Sequence, residues 1–130
     1  MTYLISPPEE TNLSINSEQF ITNLKQRWQT VKIRKINNPD RPYSLEWIIP
    51  MEQGNLEGLL ERTGQCVSLE GHILDCAKFA LWFRSQIDSQ YKLVFYDEGY
   101  SADIELYKDT TQAEIVQPFI SIPVENFSVL

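Results

Sequence analysis

Apolar residues recur at helical spacing over two stretches of the chain and alternate at period two over several others. Phe20, Ile21, Leu24, Trp28 and Val31 fall on one stripe, the 3.6-residue repeat of an amphipathic helix. Asn16 stands where an N-cap belongs, and Gln19 holds the return position of a capping box. The stripe fades near residues 29–33, and INNPDRP (36–42) is turn chemistry that closes the segment. In SLEWIIPM (44–51), Leu45, Trp47 and Ile49 alternate as a half-buried strand requires, and Pro50 limits it. A turn at Gln53-Gly54-Asn55 leads to a second strand carrying Leu56, Gly58 and Leu60. A turn at residues 62–65 leads to a third, Cys66-Val67-Ser68-Leu69.

GHILDCAKFALWFRSQID (71–88) is the strongest helix signal. Ile73, Cys76, Ala77, Ala80, Phe83 and Ile87 form its stripe, and Leu74, Phe79 and Leu81 widen it. Only Asp75, Lys78, Trp82 and Ser85 are left for a wet face, so this helix is expected to lie along a sheet. KLVFY (92–96) and ADIELY (102–107) then read as a hairpin. Thr111 with Glu114 makes a capping box for a short third helix that Pro118 ends. The tail FISIPVENFSVL is apolar enough for an edge strand or a docked arm. Residues 1–15, with Pro7, Pro8, Glu9 and Glu10, read as an irregular arm with a short strand at Tyr3–Ile5.

The order is therefore α-βββ-α-ββ-α. Strands joined by short turns pair antiparallel. The expected fold is a single two-layer α+β domain over residues 1–130, with an antiparallel sheet of about five strands and helices on one face. At 130 residues such a chain buries roughly two-thirds of its unfolded surface and folds without disulfides or metal.

Charge adds an asymmetry. The chain carries 18 acids against 11 bases, a net −7, which disfavours nucleic acid and anionic membranes as partners. Yet KQRWQTVKIRKINNPDR (25–41) holds six bases and one acid, leaving −12 for the remainder. These bases either pair with acids elsewhere in the fold or form a face for an acidic partner. The stretch MTYLISPPEE has neither the basic region nor the apolar core of a signal peptide, and no apolar run approaches the ~18 residues of a membrane span. With two cysteines and no framework, the expectation is a cytoplasmic protein with reduced thiols.

The candidate chemistry is sparse. Asp97, Glu98, Ser101 and Asp103 place oxygens around a glycine turn in YDEGYSADIEL (96–106), one way to supply the hard ligands calcium takes. The EF-hand pattern is missing. Glu52-Gln53-Gly54-Asn55 with Glu57 is a second acidic tip. The simpler account is that turns are polar and outward strand positions are wet. His72 and Cys76 sit at i and i+4 on a helix, with Cys66 on the strand before. These residue types would supply a nucleophile–base pair or three zinc ligands. Cys76, however, lies on the core stripe, where thiols are inert. Signatures of nucleophilic serine, P-loop and dinucleotide sites are absent. Trp28 and Trp47 fit apolar faces. Trp82, on the wet face of the second helix, is the candidate interface anchor, unless the arm or tail covers it.

GHILDCAKFALWFRSQIDSQYKLVFYDEGYSADIEL (71–106) resembles small uncharacterised cyanobacterial proteins. The resemblance implies a cytoplasmic setting and carries no catalytic residue over to this chain; no cofactor is expected. The element order and acidity are also similar to those of type III secretion chaperones, an analogy of fold order without a shared motif. The leading functional expectation is a non-enzymatic, chaperone-like or regulatory module. It would bind another protein, or a second copy, through an open sheet face or edge. Trp82, Lys78, Arg34 and Lys35 are the expected contacts. Calcium at Asp97, Glu98 and Asp103 is the second expectation, and an enzyme built on carboxylates the third.

Overall fold

The computed structural model describes residues 1–120. It is a two-layer α+β fold with a seven-stranded antiparallel sheet. In chain order the elements are β1 (Thr2–Ser6), α1 (Ser17–Arg27), β2 (Lys32–Lys35), β3 (Tyr43–Met51), β4 (Gly54–Glu61), β5 (Val67–Glu70), α2 (Ile73–Gln86), β6 (Val94–Asp97), β7 (Asp103–Glu105) and α3 (Gln112–Val116), which runs into a 3-10 turn at Gln117–Phe119. Across the sheet the order is β2-β3-β4-β5-β1-β6-β7.

The expected five strands are thus seven, and both additions matter. β1 is an inner strand, pairing Tyr3 with Leu69 of β5 on one side and with Asp97 of β6 on the other. It stitches the two halves of the sheet, so the short strand expected at Tyr3–Ile5 is central, and the irregular arm is confined to the residues after Ser6. β2 occupies the stretch where the first helix was expected to fray. The helix stops at Arg27, and Lys32–Lys35 joins the edge of β3. The tail expected to add an edge strand lies, from residue 121, outside the described residues; Phe119 packs its ring on Tyr3 and Phe95.

Strand alternation places the core. Leu45, Trp47 and Ile49 of β3, Leu56 and Leu60 of β4, Val67 and Leu69 of β5, Tyr3 and Ile5 of β1, and Phe95 of β6 are all buried. They meet the apolar stripes of α1 and α2, with Phe20 edge-on to Trp47 and Phe79 stacked against it. Gly58 faces Trp47 across the ladder. A Cβ there would stand 2.1 Å from the indole, so the ring lies flush on the backbone only because the strand is bare at that point.

The caps behave as their residue types dictate. Asn16 accepts from the Gln19 N–H at 2.9 Å, although the Gln19 side chain turns to Asn23 and leaves the return bond unmade. Thr111 and Glu114 complete the reciprocal capping box. His72 caps α2, its Nδ1 accepting from the Leu74 N–H at 3.1 Å.

The wet face expected for α2 is corrected at Asp75. Asp75 is 2% exposed, its carboxylate accepting the Gln53 N–H of the β3–β4 turn. Arg84 is also buried, and it donates to the carbonyls of Ile87, Asp88 and Tyr91, closing the loop that follows the helix. Leu74, assigned to the stripe, is exposed instead.

Candidate functional site

The helices cover one face of the sheet. Among the described residues no helix lies on the other, though Pro7–Thr11 and Tyr100 border its far end, and its side chains follow from the register. One row crosses the strands as Lys32, Ile48, Glu57, Glu70 and Thr2; the next runs Arg34, Glu46, Leu59, Ser68, Leu4, Tyr96 and Asp103. A bulge between Tyr43 and Leu45 adds Tyr43 to this face. Strict alternation would have sent it inward with Leu45. The twisted face encloses a groove of about 540 Å³ lined by Leu4, Tyr43, Ile48 and Leu59, with Glu46, Glu57, Glu70 and Glu98 around them.

Its electrostatics are unbalanced. Glu57 and Glu70 are directly opposed on β4 and β5, with Cβ atoms about 5 Å apart, an arrangement that is destabilising for like charges. Arg34 Nε meets Glu46 at 2.7 Å. No ion pair forms at Glu57, Glu70 or Glu98 among the described residues. Lys32, the next cation in the row, is two strands from Glu57 beyond Ile48, a separation of ~10 Å. At the far end Tyr96 is held by a hydrogen bond to Ser6 at 2.9 Å and stacks on Tyr100; burial raises its phenol pKa.

The expected partner contacts do not come together. Arg34 is on the open face, engaged with Glu46. Lys35 points to the helix side and binds Glu18 of α1 at 2.6 Å. Lys78 reaches Glu52 at 3.8 Å. Trp82 is half-buried in the seam between α1 and α2, against Phe20, Trp28 and Phe79. It belongs to the margin of the core, and the wet position read from the helix pattern is corrected. Of the six bases in residues 25–41, Arg34 and Lys35 are paired internally.

The acidic turn divides in the same way. Asp97 sits on the helix side and is nearly buried. The Ser101 N–H donates to it at 2.7 Å and the Ser101 hydroxyl closes on its other oxygen. The Ser101 hydroxyl is the main cause that holds this carboxyl below its usual range. Glu98 and Asp103 are on the opposite face. The pleat therefore separates the three oxygen donors expected to share a calcium ion. Among the described residues no three His, Cys, Asp or Glu side chains converge to hold a metal.

Cys66 and Cys76 are both buried, and burial pushes each thiol up to about 12, with Glu61 and Asp75 adding to it respectively. Neither is an available thiolate, and His72 is committed to its cap. No described helix is long and apolar enough to cross a membrane.

Comparison with family models, curated proteins and solved structures gives no match for this chain.

Proposed function

We propose that this chain is a non-enzymatic protein-binding module whose open sheet face docks a basic, amphipathic segment of a partner protein. The observation that carries this reading is the groove with an apolar floor and three glutamates that no described cation neutralises. Apolar side chains of an extended segment would cover Leu4, Ile48 and Leu59. Its lysines or arginines would lie between Glu57 and Glu70, where two carboxylates stand ready for one cation. Charge-assisted bonds of this kind steer encounter and fix register. The apolar floor supplies the burial that retains the partner.

The carboxylate pair also suits an acid–base enzyme in outline, but such pairs work when their environments drive the two groups apart. Glu57 and Glu70 are both exposed, and the groove offers no histidine or thiol beside them. Docking is the better account.

The test uses two synthetic peptides of alternating pattern, Lys/Leu and Glu/Leu, titrated calorimetrically at low and high salt. The Lys/Leu peptide should bind, weaken with salt and lose affinity to both Glu57→Lys with Glu70→Lys and Leu59→Ser. Equal affinity for the two peptides, or indifference to these substitutions, would sink the reading.

A further inference from the structure

Among the described residues the sheet ends at β2 and at β7, and the two ends differ in chemistry. β2 at one end reads KIRK, and β7 at the other reads DIE. An edge strand carries unpaired backbone groups, and charged side chains are the usual guard on such an edge. A guard of one sign repels a like edge. It attracts an edge guarded by the other sign.

The backbone geometry of both edges can be read from the ladder. The Ile36 N–H bonds the Ser44 carbonyl at 2.9 Å. Antiparallel pairs alternate between bonded and non-bonded positions, so Lys32 and Arg34 turn their backbone groups inward to β3, and Ile33 and Lys35 turn theirs out. At the other end the Leu106 N–H bonds the Leu93 carbonyl at 2.8 Å. By the same alternation Ile104 bonds inward to Phe95, and Asp103 and Glu105 present their backbone groups outward. Every neighbouring pair in the seven-stranded sheet is antiparallel, so β2 and β7 run in the same direction.

We propose that copies of this chain associate head to tail, β2 of one against β7 of the next, in parallel register, continuing one sheet through both molecules. In a parallel pair a residue that bonds outward sits opposite one that does not. Ile33 therefore lies opposite the second copy's Ile104 and bonds the residues on either side of it. Lys32 then falls opposite Asp103, and Arg34 opposite Glu105. Faces match as well as charges: Ile33 and Ile104 are half-buried on the helix side, and the four charged residues are on the open side. The isologous alternatives place bases on bases or acids on acids. The contact is a few residues long, so the association is weak, salt-sensitive and open-ended, as a heterologous interface must be unless it closes into a ring.

Sedimentation over a wide range of protein concentration tests this, at ionic strengths where the Debye length is about 30 Å and about 3 Å. At low salt the average mass should rise with concentration, and at high salt it should fall back toward the single chain. Two variants sharpen the test, each checked for native circular dichroism: Lys32→Glu with Arg34→Gln, and Asp103→Lys with Glu105→Lys. Each alone should stay monomeric at low salt, and a mixture of the two should associate. If a reversal unfolds the chain, Lys32→Gln, at an exposed side chain, carries the same test with a smaller shift. A wild-type chain of constant mass at low salt overturns the proposal, as do variants that assemble like the wild type or a mixture that stays monomeric.

Discussion

The two faces of the sheet are built from the same strands, alternate residue by alternate residue, and yet obey different rules. On the helix side Trp47, Phe79, Phe20 and Phe83 interlock and nearly every position is buried. A single added methyl at Gly58 would collide with an indole there. On the open side Leu4 and Leu59 are half-buried, Ile48 is exposed, and Glu57 and Glu70 are opposed with no ion pair among the described residues. One face is optimised for its own packing. The other carries a local electrostatic cost where Glu57 meets Glu70.

Substitutions can break or sharpen that contrast. Phe79→Ala, in the middle of the aromatic cluster, should cost about 3–5 kcal/mol in denaturant unfolding, since transfer and cavity terms add in a packed core. Gly58→Ala should cost about 1–3 kcal/mol by overpacking against Trp47. A Gly58→Ala chain as stable as wild type would show that the two layers are less tightly seated than the indole geometry indicates. On the open face the sign reverses. Glu70→Gln should stabilise by about 0.2–1 kcal/mol through relief of the Glu57–Glu70 opposition, while weakening the Lys/Leu peptide. A destabilised Glu70→Gln chain would mean that the face is not in electrostatic conflict.

The smallest effect concerns Asp97, whose lowered pKa rests chiefly on the Ser101 hydroxyl. The unfolded chain takes up this proton first as pH falls. The contribution is therefore complete above the unfolded carboxylate range and is lost as pH drops through the folded value. The stability gap between wild type and Ser101→Ala should be constant above about pH 5 and close in acid. A gap that persists unchanged in acid would remove the carboxylate from the account.

Much of the helix side was legible in the chain, because it is written in local periods. The alternation of Leu45, Trp47 and Ile49, the α2 stripe around Ala77, Ala80 and Phe83, and the Thr111–Glu114 box all hold. What escaped depends on partners far away in sequence. β1 is five residues followed by two prolines, and only its pairing with both β5 and β6 makes it central. In β2 one isoleucine among three bases hides the strand period. Asp75 reads as wet on a helical wheel, and only the distant Gln53 N–H explains its burial. The opposition of Glu57 and Glu70 is a matter of register, which no local pattern announces. Trp82 was misplaced for a related reason: α1 crosses beside it and brings Phe20 and Trp28 to its ring.

That last contact has an optical consequence. The Trp28 and Trp82 rings lie 5.1 Å apart at a steep angle, one from the end of α1 and the other from α2. Indoles so close share their excited states, so the near-ultraviolet circular dichroism of this chain carries a signal that exists only while α1 is seated. Loss of that signal ahead of the far-ultraviolet one would mark the first helix leaving the sheet, seen without any label.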